Sequence, residues 1–476
     1  MAEAPAIEPL YEARKRIHPQ SVTGTFRRIK WALLVVTLGI YYLLPFVRWT
    51  RGPHEPSQAV LIDLANGRFY FFFIELWPQE VYYVMGLLIL AAFTLFLMNA
   101  VAGRIWCGYL CPQTVWTDLF MAVERVIEGD RRERIRLDAA PWSPSKVAQK
   151  ISKHTLWLVI AWGTGGAWVL YFADAPTLVK DLATGRAPFV AYLWIGILTF
   201  TTYVLAGFMR EQVCTYMCPW PRIQGALTDR HSLNITYRFD RGEPRISAKK
   251  SAALRAKGEP AGDCVDCFQC VTACPAGIDI RNGLQMECIQ CGLCADACDA
   301  VMVKLGRPTG LIAYESEDNL ERFQRGEAPV YRLVRPRTVL YGILIAIVGI
   351  AMLTALALRS FTGLTAIHDR NPLFVTLADG SVRNGYTLRL LNKRPIERSF
   401  ALTVEGLPGA RLEAIGAPGD NGKAMVSVGP DTTHEVRVLV FAPAGAKLEK
   451  SVPVTFRIVD VASGEVASAH DHFKAP

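Results

Sequence analysis

Up to about residue 358 the chain alternates long apolar runs with charged stretches, and beyond it changes to a two-residue rhythm. Five runs, 31–47, 81–101, 156–172, 189–209 and 338–358, approach the roughly twenty apolar residues that a helix needs to cross a bilayer. The first and third are the shortest, so their edges are the least fixed. After the fifth run, apolar and polar residues alternate over 386–391, 400–405, 424–428, 435–441 and 452–459, with weaker stretches at 373–377 and 411–415. Gly, Pro and Asn separate them, which predicts about seven short antiparallel strands and an immunoglobulin-like sandwich. That segment has no cysteine, so its sheets must be held by their core alone.

Composition agrees with a membrane anchor carrying soluble modules. Of 476 residues 51% are hydrophobic, and the formal net charge is +9. The mean hydropathy of +0.21 is too high for an ordinary soluble ferredoxin, while the charge is too high for a bare transporter core. Arg14, Lys15, Arg16, Arg27, Arg28 and Lys30 precede the first run and no small-residue cleavage site follows it, so that run reads as a retained anchor. Basic residues also crowd the stretch from Arg131 to Lys153 and the approach to residue 338, whereas 48–80 and 173–188 hold few. The positive-inside bias then places the N-terminus and the segment before the last run in the cytosol, and the C-terminal sandwich outside. The basic residues are thus topological markers, with docking of an acidic electron donor a lesser role and no nucleic-acid partner expected.

All twelve cysteines fall in two repeated patterns. The sharper is C-x2-C-x2-C-x3-C, written once as Cys264, Cys267, Cys270 and Cys274, and again as Cys288, Cys291, Cys294 and Cys298. Three thiolates so spaced wrap one cubane, and the remote fourth cysteine ligates the partner cubane. This assigns Cys264, Cys267, Cys270 and Cys298 to one [4Fe-4S] cluster and Cys288, Cys291, Cys294 and Cys274 to a second. Zinc is the weaker reading, because zinc sites favour two separate C-x2-C knuckles, often with His. Pro275 closes the first quartet, but Asp299 stands where the second proline would be, adding negative charge beside the first cluster and lowering its potential.

The second pattern is C-x3-C-P, found after the second run as Cys107, Cys111 and Pro112 and after the fourth as Cys214, Cys218 and Pro219. On a continuous helix, cysteines four apart share a face at about 5 to 6 Å between Cβ atoms, too wide for a disulfide but suited to one soft metal. Each proline predicts a break just there, and the repetition predicts a duplicated hairpin whose four thiols converge under the cluster domain. Intramembrane haem is not expected, since His18, His54, His154 and His231 lie outside the runs. His470 and His472 would share one face of a strand as an external metal touch point. Trp77, Trp106, Trp116 and Trp194 read as interfacial or packing aromatics.

The expected fold is therefore multi-domain: a cytosolic N-terminal segment (1–30), a four-span region with two CxxxCP hairpins (31–230), a cytosolic ferredoxin-like domain (231–337), a fifth transmembrane helix (338–358) and an all-β immunoglobulin-like domain (359–476). In this order of parts, and in the motifs at Cys107/Cys111, Cys214/Cys218 and the twin quartet, the chain resembles the FixG/RdxA/CcoG family of cytochrome oxidase accessory proteins over essentially its full length. The resemblance implies a protein of the bacterial cytoplasmic membrane that helps to assemble a copper–haem oxidase as a cupric reductase. It further implies a cytosolic electron donor and oxidase assembly factors or subunits as partners, with homo-oligomerisation left open. On this reading Cys107, Cys111, Cys214 and Cys218 bind and reduce copper, because thiolates favour Cu(I) and cubanes pass single electrons. The alternatives are a quinol-linked electron relay and a redox-sensing scaffold without turnover.

Overall fold

The computed structural model describes residues 16–52, 55–394, 396–420, 423–446 and 448–476; Arg14, Lys15 and His54 lie outside them. The chain divides into two compact units, one reaching to Met352 and one from Leu353 onward, with 50–56 grouped with the second. In the first unit, four helices among the described residues are long and apolar enough to cross a membrane: Thr25–Phe46, Tyr82–Ala102, Phe189–Met209 and Pro336–Ala357. Their apolar side chains are largely exposed, as lipid-facing surface must be.

The expected third span differs. Its residues form the apolar half of a 26-residue helix, Pro144–Val169, that begins twelve residues earlier than the expected run. Lys146, Lys150 and Lys153 occupy the first half, and Gly163, Thr164, Gly165 and Gly166 dilute the second. Four apolar spans, not five, are therefore clear. The loop expected over 48–80 also holds structure, a three-stranded sheet of Val60–Asp63, Arg68–Phe71 and Ile74–Leu76.

Buried ion pairs tie the helix ends together. The helix Pro112–Glu128 carries Asp118, Glu124 and Glu128 inward. Asp118 meets Arg27 at 2.8 Å, Glu124 meets Arg134 at 2.9 Å and Arg210 at 2.6 Å, and Glu128 meets both Lys150 and Lys153 at 2.9 Å. Burial alone would raise the Glu124 carboxyl, but Arg210, Lys153 and Arg134 outweigh it and hold it below the ordinary range. Arg27, Lys153 and Arg134, which the sequence marks only as flanking charge, are thus interior residues. The first helix begins at Thr25 with no side-chain cap of its own; Asp296, from the cluster domain, accepts from the backbone N–H of Phe26 and Arg27 at 3.2 and 2.8 Å.

The second unit is a sandwich. One sheet runs Arg411–Ala414, Thr432–Ala442, Val382–Asn392, Thr362–His368, with Val375–Thr376 also on Val382–Asn392. The other runs Gly419–Asp420, Lys423–Val428, Arg398–Glu405, Ser451–Asp460, Val466–Lys474. Ten strands stand among the described residues where seven are expected; Thr362–His368 and Val466–Lys474 escape notice because small and polar residues break their alternation, and Gly419–Asp420 because it is only two residues long. Between the sheets lie Tyr386, Leu388, Phe400, Val438, Phe456 and Phe473, all fully buried, with the Tyr386 hydroxyl donating to the His472 carbonyl at 3.0 Å. His470 and His472 do share an exposed face of their strand.

Arg398 is buried against Asp460 at 2.7 Å and Glu465 at 2.7 Å. Burial would raise the Asp460 carboxyl, but the Ser463 hydroxyl and the Arg398 guanidinium outweigh it and hold it at about 2. A carboxyl lowered on folding stabilises above its ordinary range near pH 4 and loses that contribution as pH falls toward the folded value. Replacing Asp460 by Ala should therefore cost the domain about 3 kcal/mol at neutral pH by leaving Arg398 under-compensated. Denaturant midpoints at pH 7 and pH 3 check this: the gap between variant and parent should be widest at pH 7, and equal midpoints there would contradict the role given to the pair.

Candidate functional site

The two C-x2-C-x2-C loops share one backbone. In the first, Asp266 and Phe268 take positive φ of 54° and 56°; in the second, Gln290 and Gly292 take 54° and 73°, at the equivalent positions. Left-handed residues alternating with cysteines turn the chain around a central volume, which is the cradle a cubane requires. Crossed ligand sets are also what the geometry brings together. Cys298 lies in electrostatic range of Cys270, Cys267 and Cys264, while Cys274 lies near Cys291 and Cys288, and Cys294 near all three of these. Among the described residues no three cysteine sulfurs lie mutually within 4.8 Å. A zinc ion would need its sulfurs about 3.8 Å apart, from tetrahedral Zn–S bonds of about 2.3 Å, so the cradles fit a wider group than one ion. Asp299 acts electrostatically on Cys298 and accepts from the Gly310 N–H at 2.8 Å.

The C-x3-C-P segments are not continuous helix. After the helix Tyr82–Ala102, Gly103 breaks the chain at φ 52°, ψ −127°; after the π-helical turn Tyr203–Met209, Arg210 breaks it at φ 45°, ψ −115°. Cys107 then sits in the short helix Ile105–Tyr109, and Cys214 in the π-helical turn Val213–Met217. Cys111 and Cys218 are extended at φ −60° and −81°, and Pro112 opens the next helix. The duplication thus extends to backbone angles, and the expected break at proline is present, but the shared helical face is not. The four thiols are nevertheless neighbours: Cys107 is in range of Cys111 and Cys214, and Cys214 of Cys111 and Cys218, although here too no three sulfurs lie mutually within 4.8 Å, so a single ion meets at most two of them without a shift of the turns.

Burial pushes the Cys107 thiol up to about 12, with Cys111 adding to the rise against the opposing pull of Gln224 and Arg104. Cys214 is pushed up to about 11, again by burial first and then by Cys111 and Cys218. Both are therefore protonated thiols at neutral pH until a metal displaces the proton. Gln224, fully buried, accepts from the Cys107 sulfur at 3.4 Å and donates to the Asn99 side chain at 3.1 Å.

One face of this thiol site is the second cluster loop. A Cβ on Gly108 would lie 2.7 Å from the Ile289 carbonyl oxygen and 3.1 Å from the Cys291 Cα, so only glycine admits the loop there. Tyr109 donates its hydroxyl to the Cys291 carbonyl at 3.0 Å, and Tyr314 donates to the Gln290 carbonyl. The Gln290 side chain accepts from the Arg104 N–H at 2.9 Å and donates to Asn234. At Gly103, in the left-handed region at φ 52°, a Cβ would push aside the ends of the Asn234 and Gln290 side chains. Sequence reasoning gave no role to Gln224, Asn99, Gln290, Tyr109 or Arg104; a single polar or aromatic residue beside a motif carries no periodic signal that would single it out.

Comparison with known proteins follows the same division. Residues 209–317 match a family described as a 4Fe-4S dicluster domain, residues 84–128 a 4Fe-4S binding domain, and residues 352–476 the IG-like fold at the C-terminal of FixG. The chain is 50% identical to the nitrogen fixation protein FixG of Rhizobium meliloti, over 98% of this chain and 94% of that one. It is 51% identical to protein RdxA of Cereibacter sphaeroides, over 95% and 94%, and 48% identical to RdxB of the same organism, over 96% and 95%.

The raised thiols give a direct test. Alkylation of Cys107 and Cys214 in protein whose eight ferredoxin cysteines are protected should be slow at pH 7 and still be rising about tenfold per pH unit beyond about pH 9, where an unshifted thiol levels off, because only the thiolate reacts. Exposed Cys218 should label first. Peptide mass spectrometry reads the three rates separately, and pH-independent labelling of Cys107 would show that burial does not control it.

Proposed function

The chain belongs to the FixG/RdxA family, and we propose that it reduces Cu(II) to Cu(I) at the Cys107, Cys111, Cys214 and Cys218 thiols and supplies the product to cytochrome oxidase assembly. At the coarser level it is a membrane protein and an iron–sulfur oxidoreductase of the electron-transfer kind. Cys264, Cys267, Cys270 and Cys298 hold one cluster and Cys288, Cys291, Cys294 and Cys274 the other; bound there, the clusters supply one-electron transfer. The observation that carries the reading is the seam at Gly108, where the turn carrying Cys107 and Cys111 is packed directly against the loop of a cluster domain.

Each Cu(II) takes one electron and becomes Cu(I), with a cytosolic reductant as the ultimate donor. The chain's own thiols contribute affinity and selectivity, since thiolate strongly favours the monovalent ion. Gln224 fixes the Cys107 sulfur, and the proton released when a buried thiol takes up metal makes binding tighten as pH rises. The basic residues around the helix ends support placing the N-terminus and cluster domain in the bacterial cytosol, the sandwich outside, and Pro144–Val169 as a fifth crossing whose charged half stays at the cytosolic surface. The outer domain is then the natural contact for an oxidase assembly partner. A quinol-linked relay is the second reading. It is favoured by a cavity lined by His154, Trp157, Phe208, Arg210 and Glu211, whose His154 pairs through Nδ1 at 3.0 Å with the hydroxyl of Tyr203, the first residue of the π-helical turn.

Mixing anaerobically reduced protein with Cu(II) and a Cu(I)-specific chelator tests the proposal. Replacing all four thiols by Ser should slow Cu(I) formation at least about tenfold while leaving about eight irons per chain, as two cubanes require. Unchanged Cu(I) formation in that variant would remove the thiols from the site, and cluster reoxidation by a quinone but not by copper would favour the relay.

A further inference from the structure

Arg104 lies between the two sets of cysteines. Its guanidinium donates to the carbonyls of Met286 and Cys288 in the second cluster loop and, at 2.6 Å, to the carbonyl of Pro221 just beyond the second C-x3-C-P motif. Its backbone N–H donates to Gln290, so main chain and side chain both grip the same loop. The residue is only 7% exposed, and its charge acts on Cys107, Cys288, Glu287 and Cys214. No other side chain described above touches the first thiol turn, the second and a cluster loop together.

We infer that Arg104 is a positioning residue that locks the loop of Cys288 and Cys291 onto the thiol site and, through its buried charge, makes the centre held by Cys274, Cys288, Cys291 and Cys294 the better electron acceptor of the two. A fixed positive charge favours the reduced, more negative form of a cluster, and burial keeps solvent from screening it. The opposing charge on the same loop, Glu287, is exposed and weakened by screening. Around the other centre the buried cation is paired. Arg281 acts on Cys270 ahead of Asp279, but it is engaged by Asp279 at 2.6 Å and Asp266 at 2.5 Å, and Asp299 acts on Cys298. The two cradles share a backbone, so what distinguishes them is that the Arg104 guanidinium bonds carbonyl oxygens where Arg281 bonds two carboxylates, and the centre favoured for reduction is the one against the thiols. The inference rests on the iron–sulfur reading alone and stands whether or not copper is the substrate.

Redox titration of the full-length protein followed by EPR tests it without reference to turnover. In Arg104→Gln one of the two couples should fall by a factor of ten in its reduction equilibrium, about 59 mV for one electron, while the other stays in place. Arg104→Lys, which keeps the charge, should restore it. Asp299→Asn identifies the other couple by raising it. If Arg104→Gln moves neither couple, or moves the one that Asp299→Asn moves, the inference is overturned. Should Arg104→Gln lose its iron, Arg104→Lys serves in its place: it keeps the charge and loses the guanidinium fork, so the couple untouched by Asp299→Asn should stay where it is, and a tenfold fall in that couple overturns the inference equally. Absence of about eight irons from the unmodified protein would instead overturn the iron–sulfur reading, and metal analysis sees that separately.

Discussion

The close approach of the Gly103–Cys111 turn to the loop carrying Cys288 and Cys291 is the constraint on which the redox half of this chain depends. At Gly108 it brings backbone against backbone, which only a residue without a Cβ allows, and at Gly103 the missing Cβ leaves room for the ends of the Asn234 and Gln290 side chains. The polar groups buried by that approach are then satisfied across it: Gln290 to Arg104 and Asn234, Tyr109 to the Cys291 carbonyl, Tyr314 to the Gln290 carbonyl. A buried network of this kind specifies one arrangement, because sliding the loop by a residue would orphan several donors together. Thiols and cluster ligands are in this way held at fixed separation although they belong to different parts of the sequence.

The ion pairs around the Pro112–Glu128 helix perform the matching task on the membrane side. Three carboxylates within one helix hold cations from the first helix, from the Arg131–Ala139 helix, from Pro144–Val169 and from the turn at Arg210. Several partners share each acid, so removing one cation leaves the others in place, whereas removing Glu124 would strand Arg134 and Arg210 in the interior together. Asp296 adds a connection of a different type, capping the first helix from the cluster domain. The membrane helices and the cluster domain are consequently one unit, as the contacts within residues up to Met352 show.

Much of this was legible in the sequence where a signal repeats. Runs of twenty apolar residues, two-residue alternation and cysteines at fixed spacing each repeat a physical requirement, so four spans, most of the sandwich and every cysteine that gathers in a site could be read in advance. What was not legible depends on single residues meeting across long sequence separations. Arg27, Arg134 and Lys153 look the same in sequence as solvated topological charges, and only the tertiary fold shows the acids waiting for them. The early start of the Pro144–Val169 helix is hidden for the same reason, since its lysines pair with buried acids and the helix extends beyond its apolar part. In the C-x3-C-P motif the proline announces the break after the cysteines; the left-handed break before them has glycine in one copy and arginine in the other, so no shared residue announces it.

That pair of breaks explains how a duplicated motif builds an asymmetric site. Gly103 and Arg210 take almost the same unusual backbone angles, but a non-glycine residue is strained there. At Gly103 the missing side chain makes room for Asn234 and Gln290, and the first turn is thereby committed to the cluster domain. At Arg210 the side chain instead runs inward to Glu124 at 2.6 Å and to the Gly207 carbonyl at 2.8 Å, while Gln113 holds its carbonyl at 3.2 Å, and the second turn is committed to the helices. The ion pair offsets the backbone strain, so arginine is tolerated where its counterpart must be glycine. Of the four thiols, two are consequently fixed relative to a cluster and two relative to the membrane helices, and Arg104, reaching the Pro221 carbonyl, spans the divide. Any shift between cluster domain and helices must therefore change the sulfur geometry.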